Sequence, residues 1–301
     1  MAIARNPVAT NQGFKSFILK PGLLSEYVFW WLKGSKQRAE RLASGTTFLE
    51  LSGANAKKIP IPIAPLEQQR EIVAEIEKQF SRLDQAVASL QRVKANLRRF
   101  ERASIKGLVD QAGFVPSVSG TVGDVADSLD YMRRPVNKTE RCKRPGTTPY
   151  LGANGQTGWI DVPLFDEELV LVVEDETFVG RRIPFSYYFS GKCWVNNHTH
   201  VLRAKRGVIL PKYLNLALSY YPFIHLTTGS TGRRKLTKAA LMSAPLAIPS
   251  LRRQRAVIEE LDSRLSIVRE VEVEVDADLK RAQVLRQAVL ARAFSCGHRN
   301  A

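Results

Sequence analysis

The sequence is poor in cysteine, and its three thiols, Cys142, Cys193 and Cys296, are scattered and odd in number. Their spacing suggests neither a disulfide framework nor a zinc knuckle, and buried or inert thiols are expected. Long hydrophobic runs are missing as well. No stretch approaches the ~20 apolar residues of a membrane span, and Met1 to Thr10 lacks the core of a secretion signal, so a cytoplasmic protein away from the membrane is expected. There is no Gly-x-x-x-x-Gly-Lys-Ser/Thr loop, which argues against nucleotide hydrolysis. An Asn-Pro-Pro-Tyr-like tetrapeptide is lacking, which argues against base methylation. The acidic run Glu174-Asp175-Glu176 has no nuclease-like lysine beside it and reads as a solvated loop. No nucleophile signature surrounds a serine, and His198 and His200 have no Cys or carboxylate at ligand spacing. No catalytic residue and no metal site is therefore expected.

Acidic residues are also few, 29 against 45 Lys and Arg, which leaves a net charge of +16. A polyanion such as nucleic acid is the first partner this suggests, against the blander reading of a solvated surface. The excess is not spread evenly. Residues 1–58 hold 9 cations against 3 anions and residues 113–250 hold 17 against 11, whereas 66–112 hold 9 against 7 and 251–301 hold 10 against 8.

The intervening segments repeat one another. A shift of 185 places Leu66-Glu67-Gln68-Gln69-Arg70 over Leu251-Arg252-Arg253-Gln254-Arg255, Pro60 over Pro245, Asn11 over Asn196, Thr46 over Thr231 and Ile105 over Leu290, without a gap. A repeat of this length fixes an architecture. Each copy reads as a globular piece, a proline-marked junction and a long helix. Residues from about 113 to 195 have no counterpart ahead of Met1, so the first globular piece is expected to be a remnant.

Leu66, Val73, Phe80 and Val87 recur every seven residues, and Ile76, Leu83, Leu90 and Leu97 form a second series. A strict heptad keeps one narrow apolar stripe turned to a partner helix, so a coiled coil is expected. The second copy keeps Leu251, Ile258 and Leu265 in one series and Leu261, Val268, Val275 and Ala282 in the other, with Glu272 interrupting the first. About 45 residues at ~1.5 Å rise make a rod of roughly 65 Å. Such rods fit a dimerising scaffold or a spacer between binding heads.

In the globular segment, Leu169 to Val173, Trp194-Val195 and Val201-Leu202 read as strands, and Leu214 to Tyr221 as a helix opened by Pro211. Leu24 to Leu32 takes the corresponding place in the first copy, and its Tyr27, Phe29, Trp30 and Trp31 read as core rather than a stacking surface.

Ile59-Pro60-Ile61-Pro62 followed by Leu66-Glu67-Gln68-Gln69-Arg70-Glu71-Ile72-Val73 resembles the junction and helix of type I restriction-modification specificity subunits. Pro149-Tyr150-Leu151-Gly152-Ala153-Asn154-Gly155 with Gly158-Trp159-Ile160-Asp161, and Trp194-Val195-Asn196-Asn197-His198, are similar to one class of their target-recognition domains, and Thr10-Asn11-Gln12-Gly13 to another. The resemblance implies an α+β fold, with mixed α/β target-recognition domains flanked by two long antiparallel coiled-coil helices. It divides the chain into a C-terminal remnant of a first recognition domain (1–58), a junction and central helix (59–112), a complete recognition domain (113–250), a distal helix (251–296) and a tail (297–301). It also implies a non-catalytic subunit that reads a split site in double-stranded DNA. Its partners would be methyltransferase subunits using S-adenosylmethionine and restriction or motor subunits using ATP and Mg, with a self-dimer as a further pairing. A coiled-coil scaffold, or a silent gene fragment that donates its recognition domain, remain as alternatives.

Base readout needs side chains that meet base edges, and cations that hold phosphates. The loop Gly152 to Gly158 offers Asn154 and Gln156 for adenine edges and Thr157 for a thymine methyl, with Tyr150 beside them. Thr231, Arg233, Arg234 and Lys235 form a glycine-rich basic turn suited to a backbone clamp. Lys143, Arg144, Arg181 and Arg182 extend the positive face, and Asn197 and His198 form another candidate turn. An ordinary hairpin, an idle charge run or a buried turn would look alike at each place.

Overall fold

Two amphipathic segments without internal glycine or proline clusters become the two longest helices in the computed structural model of the chain. The structure describes residues 1–295 apart from 12, 46–48, 115, 116, 177, 182 and 230–233. The first copy contributes α1 (Ser25–Gly34), α2 (Lys36–Leu42), α3 (Gly53–Ala56) and the long α4 (Leu66–Phe114). Then come β1 (Val118–Thr121), α5 (Val122–Val125), β2 (Ala126–Ser128), α6 (Lys138–Cys142), β3 (Thr148–Gly152), β4 (Gly155–Ile160), β5 (Phe165–Val173), β6 (Asp175–Glu176), β7 (Ser186–Val195) and β8 (Thr199–Ala204). The chain ends with α7 (Pro211–Ser219), β9 (Thr227–Thr228), β10 (Arg234–Leu236), α8 (Lys238–Met242), β11 (Pro245–Ile248) and α9 (Leu251–Ser295). This is the mixed α/β architecture with two long helices that the sequence led us to expect.

The chain forms two units, one of residues 1–96 with 271–301 and one of residues 97–270. In the first, Val73, Ile76 and Phe80 of α4 share a core with Tyr27 of α1 and with Leu290 and Phe294 of α9. Arg286 lies over the Phe80 ring, and Lys94 pairs with Asp276 at 2.6 Å. Moving up α4 thus means moving down α9, and the helices run antiparallel. Trp30 meets Phe80 and Trp31 meets Phe294 edge to face, which gives Tyr27, Trp30 and Trp31 the core role expected of them, while Phe29 lies outside this core against Trp30 and Lys33.

In the second unit, Ile105, Leu108 and Ala112 of α4 join Val257 and Leu261 of α9 in a core completed by α7 and the sheet. Six strands form that sheet in the order β2-β8-β5-β7-β3-β4. Among the described residues only the β3–β7 pair within it is parallel. Strand β5 pairs on both edges, so its run Leu169 to Val173 is apolar at every position and fully enclosed.

Helical burial differs in detail from the heptads. Val73, Ile76 and Phe80 are buried, Leu83, Val87, Leu90 and Leu97 are half-buried, and Leu66 is exposed in the first turn. On α9, Leu261, Val268, Val275 and Ala282 are buried, whereas Leu251, Ile258 and Leu265 are half-buried and Val257 takes the enclosed place beside them. The packing partners decide between adjacent positions: Val257 enters the core of the second unit with Leu261, and Ile258 and Leu265 lie at its edge.

The repeat is visible in its hydrogen bonds. Gln69 and Gln254, both 0% exposed, do the same work. Gln69 Oε1 accepts from the Leu24 amide at 2.9 Å, and its Nε2 donates to Gly22 O and Ala64 O. Gln254 Oε1 accepts from the Leu210 amide at 2.7 Å, and its Nε2 donates to Val208 O and Pro249 O. Each glutamine thereby satisfies the chain at the entry to α1 or α7, where a helix leaves amides without internal partners. This also corrects the register: Leu24 matches Leu210 and buried Tyr27 matches buried Tyr213, a shift of 186. The 185-residue match therefore contains a one-residue offset at this helix and is not gapless. Further along, Ser52 and Thr237 return to 185, each capping a short helix through its hydroxyl.

The copies differ where β8 lies. Val201 and Leu202 are enclosed, but Phe14, Phe17 and Ile18 of the first copy are exposed, Ile18 at 99%. Cys193 is buried in the sheet, as expected, whereas Cys142 is exposed on α6. Cys296 lies outside the described residues. No helix among the described residues is long and apolar enough to cross a membrane.

Candidate nucleic-acid interface

The hairpin β3–β4 carries the first group of candidate contacts. Gly155, at φ 106°, lets the chain reverse through Ala153 and Asn154, and the pairing shifts register between Tyr150 and Leu151. The stretch expected as a loop is therefore a tight hairpin, and Gln156 and Thr157 stand on a strand. Asn154, Gln156 and Thr157 are all exposed. Asn154 Oδ1 accepts from Arg181 at 2.8 Å, Gln156 Nε2 donates to Gly158 O at 3.2 Å, and the Thr157 hydroxyl donates to Tyr150 O at 3.4 Å.

Tyr150 is enclosed instead of lying beside them on the surface. Its hydroxyl donates to Val136 O at 2.9 Å, and in the next strand the Trp194 indole donates to Arg134 O at 2.8 Å. These two rings stand opposite each other in the parallel β3–β7 pair and belong to one cluster with Val136 and Ile160. Both anchor the segment that leads into α6, whose N-cap Asn137 accepts from the Glu140 amide. Helix α6 and the turn after it then lay cations back over the rings: Arg141 Cζ is 4.4 Å from the Tyr150 centroid and Arg144 Cζ 4.7 Å from that of Trp194. Arg144 is also held by both oxygens of Asp161, at 3.0 and 2.8 Å. This pair raises the Arg144 pKa through the hydrogen bond first and lowers that of Asp161 for the same reason. Lys143 is exposed.

The turn between β7 and β8 adjoins the hairpin. Asn196 donates its amide to Leu151 O, and its side chain lies beside Gly152. Asn196 Oδ1 accepts from the His198 amide at 3.0 Å, an Asx turn that leaves Asn197 and His198 exposed. His198 Nδ1 is 2.7 Å from Asp175, and Arg133 donates to Asn197 O at 3.3 Å.

The acidic run is not a solvated loop at Glu174. Its carboxylate is buried between Arg133 and Lys235, and the Lys235 ammonium is 3.0 Å away. Buried charge demands this pairing. His200 completes the network: Nδ1 lies 2.6 Å from Asp130 and Nε2 2.8 Å from Leu236 O. Burial alone would raise the Asp130 and Glu174 carboxyls. For Asp130 the His200 hydrogen bond and charge reverse this, and for Glu174 the Arg133 and Lys235 hydrogen bonds do, leaving both below their ordinary values. Strand β10 is thus tied to the β7–β8 turn through charged side chains.

Of the basic turn, Arg234 donates to the hydroxyl and carbonyl of Thr227 at 2.6 and 2.8 Å, bracing β9 against β10. Lys235 remains largely exposed despite its ion pair, while Thr231 and Arg233, like Arg182, lie outside the described residues. The hairpin, α6 and the β7–β8 turn are therefore neighbours, and Lys235 reaches them through Glu174 and Arg133. Sequence reasoning did not select Arg141, Asp161 or Glu174. The only signal for Arg141 was an asparagine cap four residues before it. Among the described residues no group of three or more His, Cys, Asp and Glu is placed to hold a metal ion.

A Haemophilus influenzae protein named as a type I restriction enzyme specificity subunit, S.HindORF215P, is 31% identical over 164 residues, 54% of this chain and 41% of its own length. The type I restriction enzyme MjaIX specificity subunit of Methanocaldococcus jannaschii is 43% identical over 75 residues, 24% of this chain and 17% of its own. This chain thus spans less than half the length of the curated relatives it matches. A solved chain from work on complex assembly and conformational transition of the type I R-M system shares the fold, with TM-score 0.60 and 21% identity over 90% of this chain and 68% of that one. The family model described as type I restriction modification DNA specificity domain matches residues 1–97 and again 116–272. With most of its length matched in two successive pieces, the chain belongs to the type I restriction-modification DNA specificity family.

Proposed function

We propose that the chain is a non-catalytic DNA-recognition subunit that binds double-stranded DNA and directs methyltransferase and restriction subunits to a bipartite target. The observation that carries this reading is the family match over both copies of the repeat. The exposed amides of Asn154 and Gln156 suit base edges, and the exposed Lys138, Lys143 and Lys235 suit phosphates. The paired long helices would space the heads and receive the methyltransferase, whose S-adenosylmethionine, and the motor's ATP and Mg, would belong to those subunits. Cytoplasmic location follows from that role.

The test is duplex binding by the chain with a methyltransferase subunit of its host, at a series of salt concentrations. A stable complex whose affinity falls steeply with salt is expected, because neutralised phosphates release counterions. Failure to form the complex, together with salt-independent DNA binding, would favour a plain coiled-coil scaffold.

A further inference from the structure

Arg141 and Arg144 occupy matched places, each stacked on a buried ring of neighbouring strands, yet only one is spoken for. Arg144 spends its donors on Asp161. Arg141 makes no ion pair and donates no side-chain hydrogen bond among the described residues; it lies against the face of Tyr150. Stacking occupies the π face of a guanidinium and leaves its in-plane N–H groups available.

The position of Arg141 is set from several sides. The Tyr150 hydroxyl and the Trp194 indole fix residues 134–136 ahead of α6. Behind it, Gly146 passes so close to β4 that a Cβ would lie 2.3 Å from Ile160 O and Asp161 Cα. The guanidinium itself lies 3.3 to 3.5 Å from where a Cβ on Gly158 would stand, next to exposed Gln156 and Thr157. A planar fork held this way on a hairpin of exposed polar side chains is pre-organised for two parallel acceptors.

We infer that Arg141 is a specificity-determining residue that donates paired hydrogen bonds to the O6 and N7 of a guanine in the major groove. This rests on the reading of the hairpin as the DNA face. Exposed Lys138 and Lys143, on flexible stems at the same helix, supply phosphate contacts instead.

The experiment is selection from random-sequence duplexes by the chain in complex with a methyltransferase subunit of its host, using wild type, Arg141→Lys, Gly158→Val and Lys138→Ala. Arg141→Lys keeps the charge but loses the fork. Gly158→Val leaves Arg141 intact and pushes it aside from a strand position where valine is favourable. Both should lose the same single guanine preference, with affinity for the wild-type site down about tenfold or more and non-specific affinity unchanged. Lys138→Ala should weaken all duplexes alike and make the salt dependence shallower. An unaltered motif in either of the first two variants overturns the assignment. So does uniform weakening with a shallower salt slope in Arg141→Lys, which would make Arg141 a phosphate contact only. If the wild-type complex selects no motif, the functional reading fails first and the assignment falls with it.

Discussion

Replacing Gln254 by methionine keeps the volume of an enclosed side chain and removes three hydrogen bonds. The Leu210 amide, at the entry of α7, loses its acceptor, and the carbonyls of Val208 and Pro249 lose a donor. An unsatisfied buried group costs about 1–3 kcal/mol. The Val208 end reaches solvent, so the sum should lie near 2–4 kcal/mol, a drop of roughly 5–15 °C in Tm for a unit of this size. Differential scanning calorimetry measures the drop, and hydrogen exchange at the Leu210 amide should accelerate with it. Gln254→Glu should do no better, because it retains the acceptor and sets a carboxylate against two carbonyls. Gln69→Met should cost the first unit a similar amount, since Gln69 makes the matching bonds to Leu24, Gly22 and Ala64. A Gln254→Met protein within ~0.5 kcal/mol of wild type would refute the idea that these glutamines hold the two helix entries.

Gly146→Ala should release α6 or destabilise the second unit by several kcal/mol, visible as a lower Tm, because its Cβ would meet backbone atoms that cannot give way. Asp130 and Glu174 have lowered pKa values in the folded state, so the stability they add is complete above their ordinary carboxylate values and decays as pH falls through the lowered ones. Urea titrations should show this loss only below about pH 4.5, and Glu174→Gln should reduce its size. Cys142 should react quickly with a maleimide at neutral pH, whereas burial pushes the Cys193 thiol up to about 12 and should protect it until the protein unfolds.

The long helices, the buried strand Leu169 to Val173 and the core role of Tyr27, Trp30 and Trp31 were legible in the sequence, because periodicity and apolar runs report burial directly, whereas the antiparallel partnership of the helices came only from the family resemblance. The choice of Val257 over Ile258 was not, since a one-residue rotation of a helix depends on what it packs against. The extra residue before α7 escaped because identities on either side of it were strong enough to hide it; the matching bonds of Gln69 and Gln254 reveal it. Candidate contacts were legible by type but not by availability. Arg144, Arg234 and Tyr150 are engaged within the fold, and Arg141 lies against Tyr150 only after a turn, a helix and a hairpin have formed. Glu174 read as solvated because its partners Arg133 and Lys235 lie far away along the chain.

Hydrogen exchange of the chain in complex with a methyltransferase subunit, compared with and without its selected duplex, tests most directly whether this face reads DNA. Slower exchange on DNA addition should appear in α6, in the hairpin from Thr148 to Ile160 and at Asn196 to His198. Protection confined to the long helices, with these segments unchanged, would contradict the assignment of the interface.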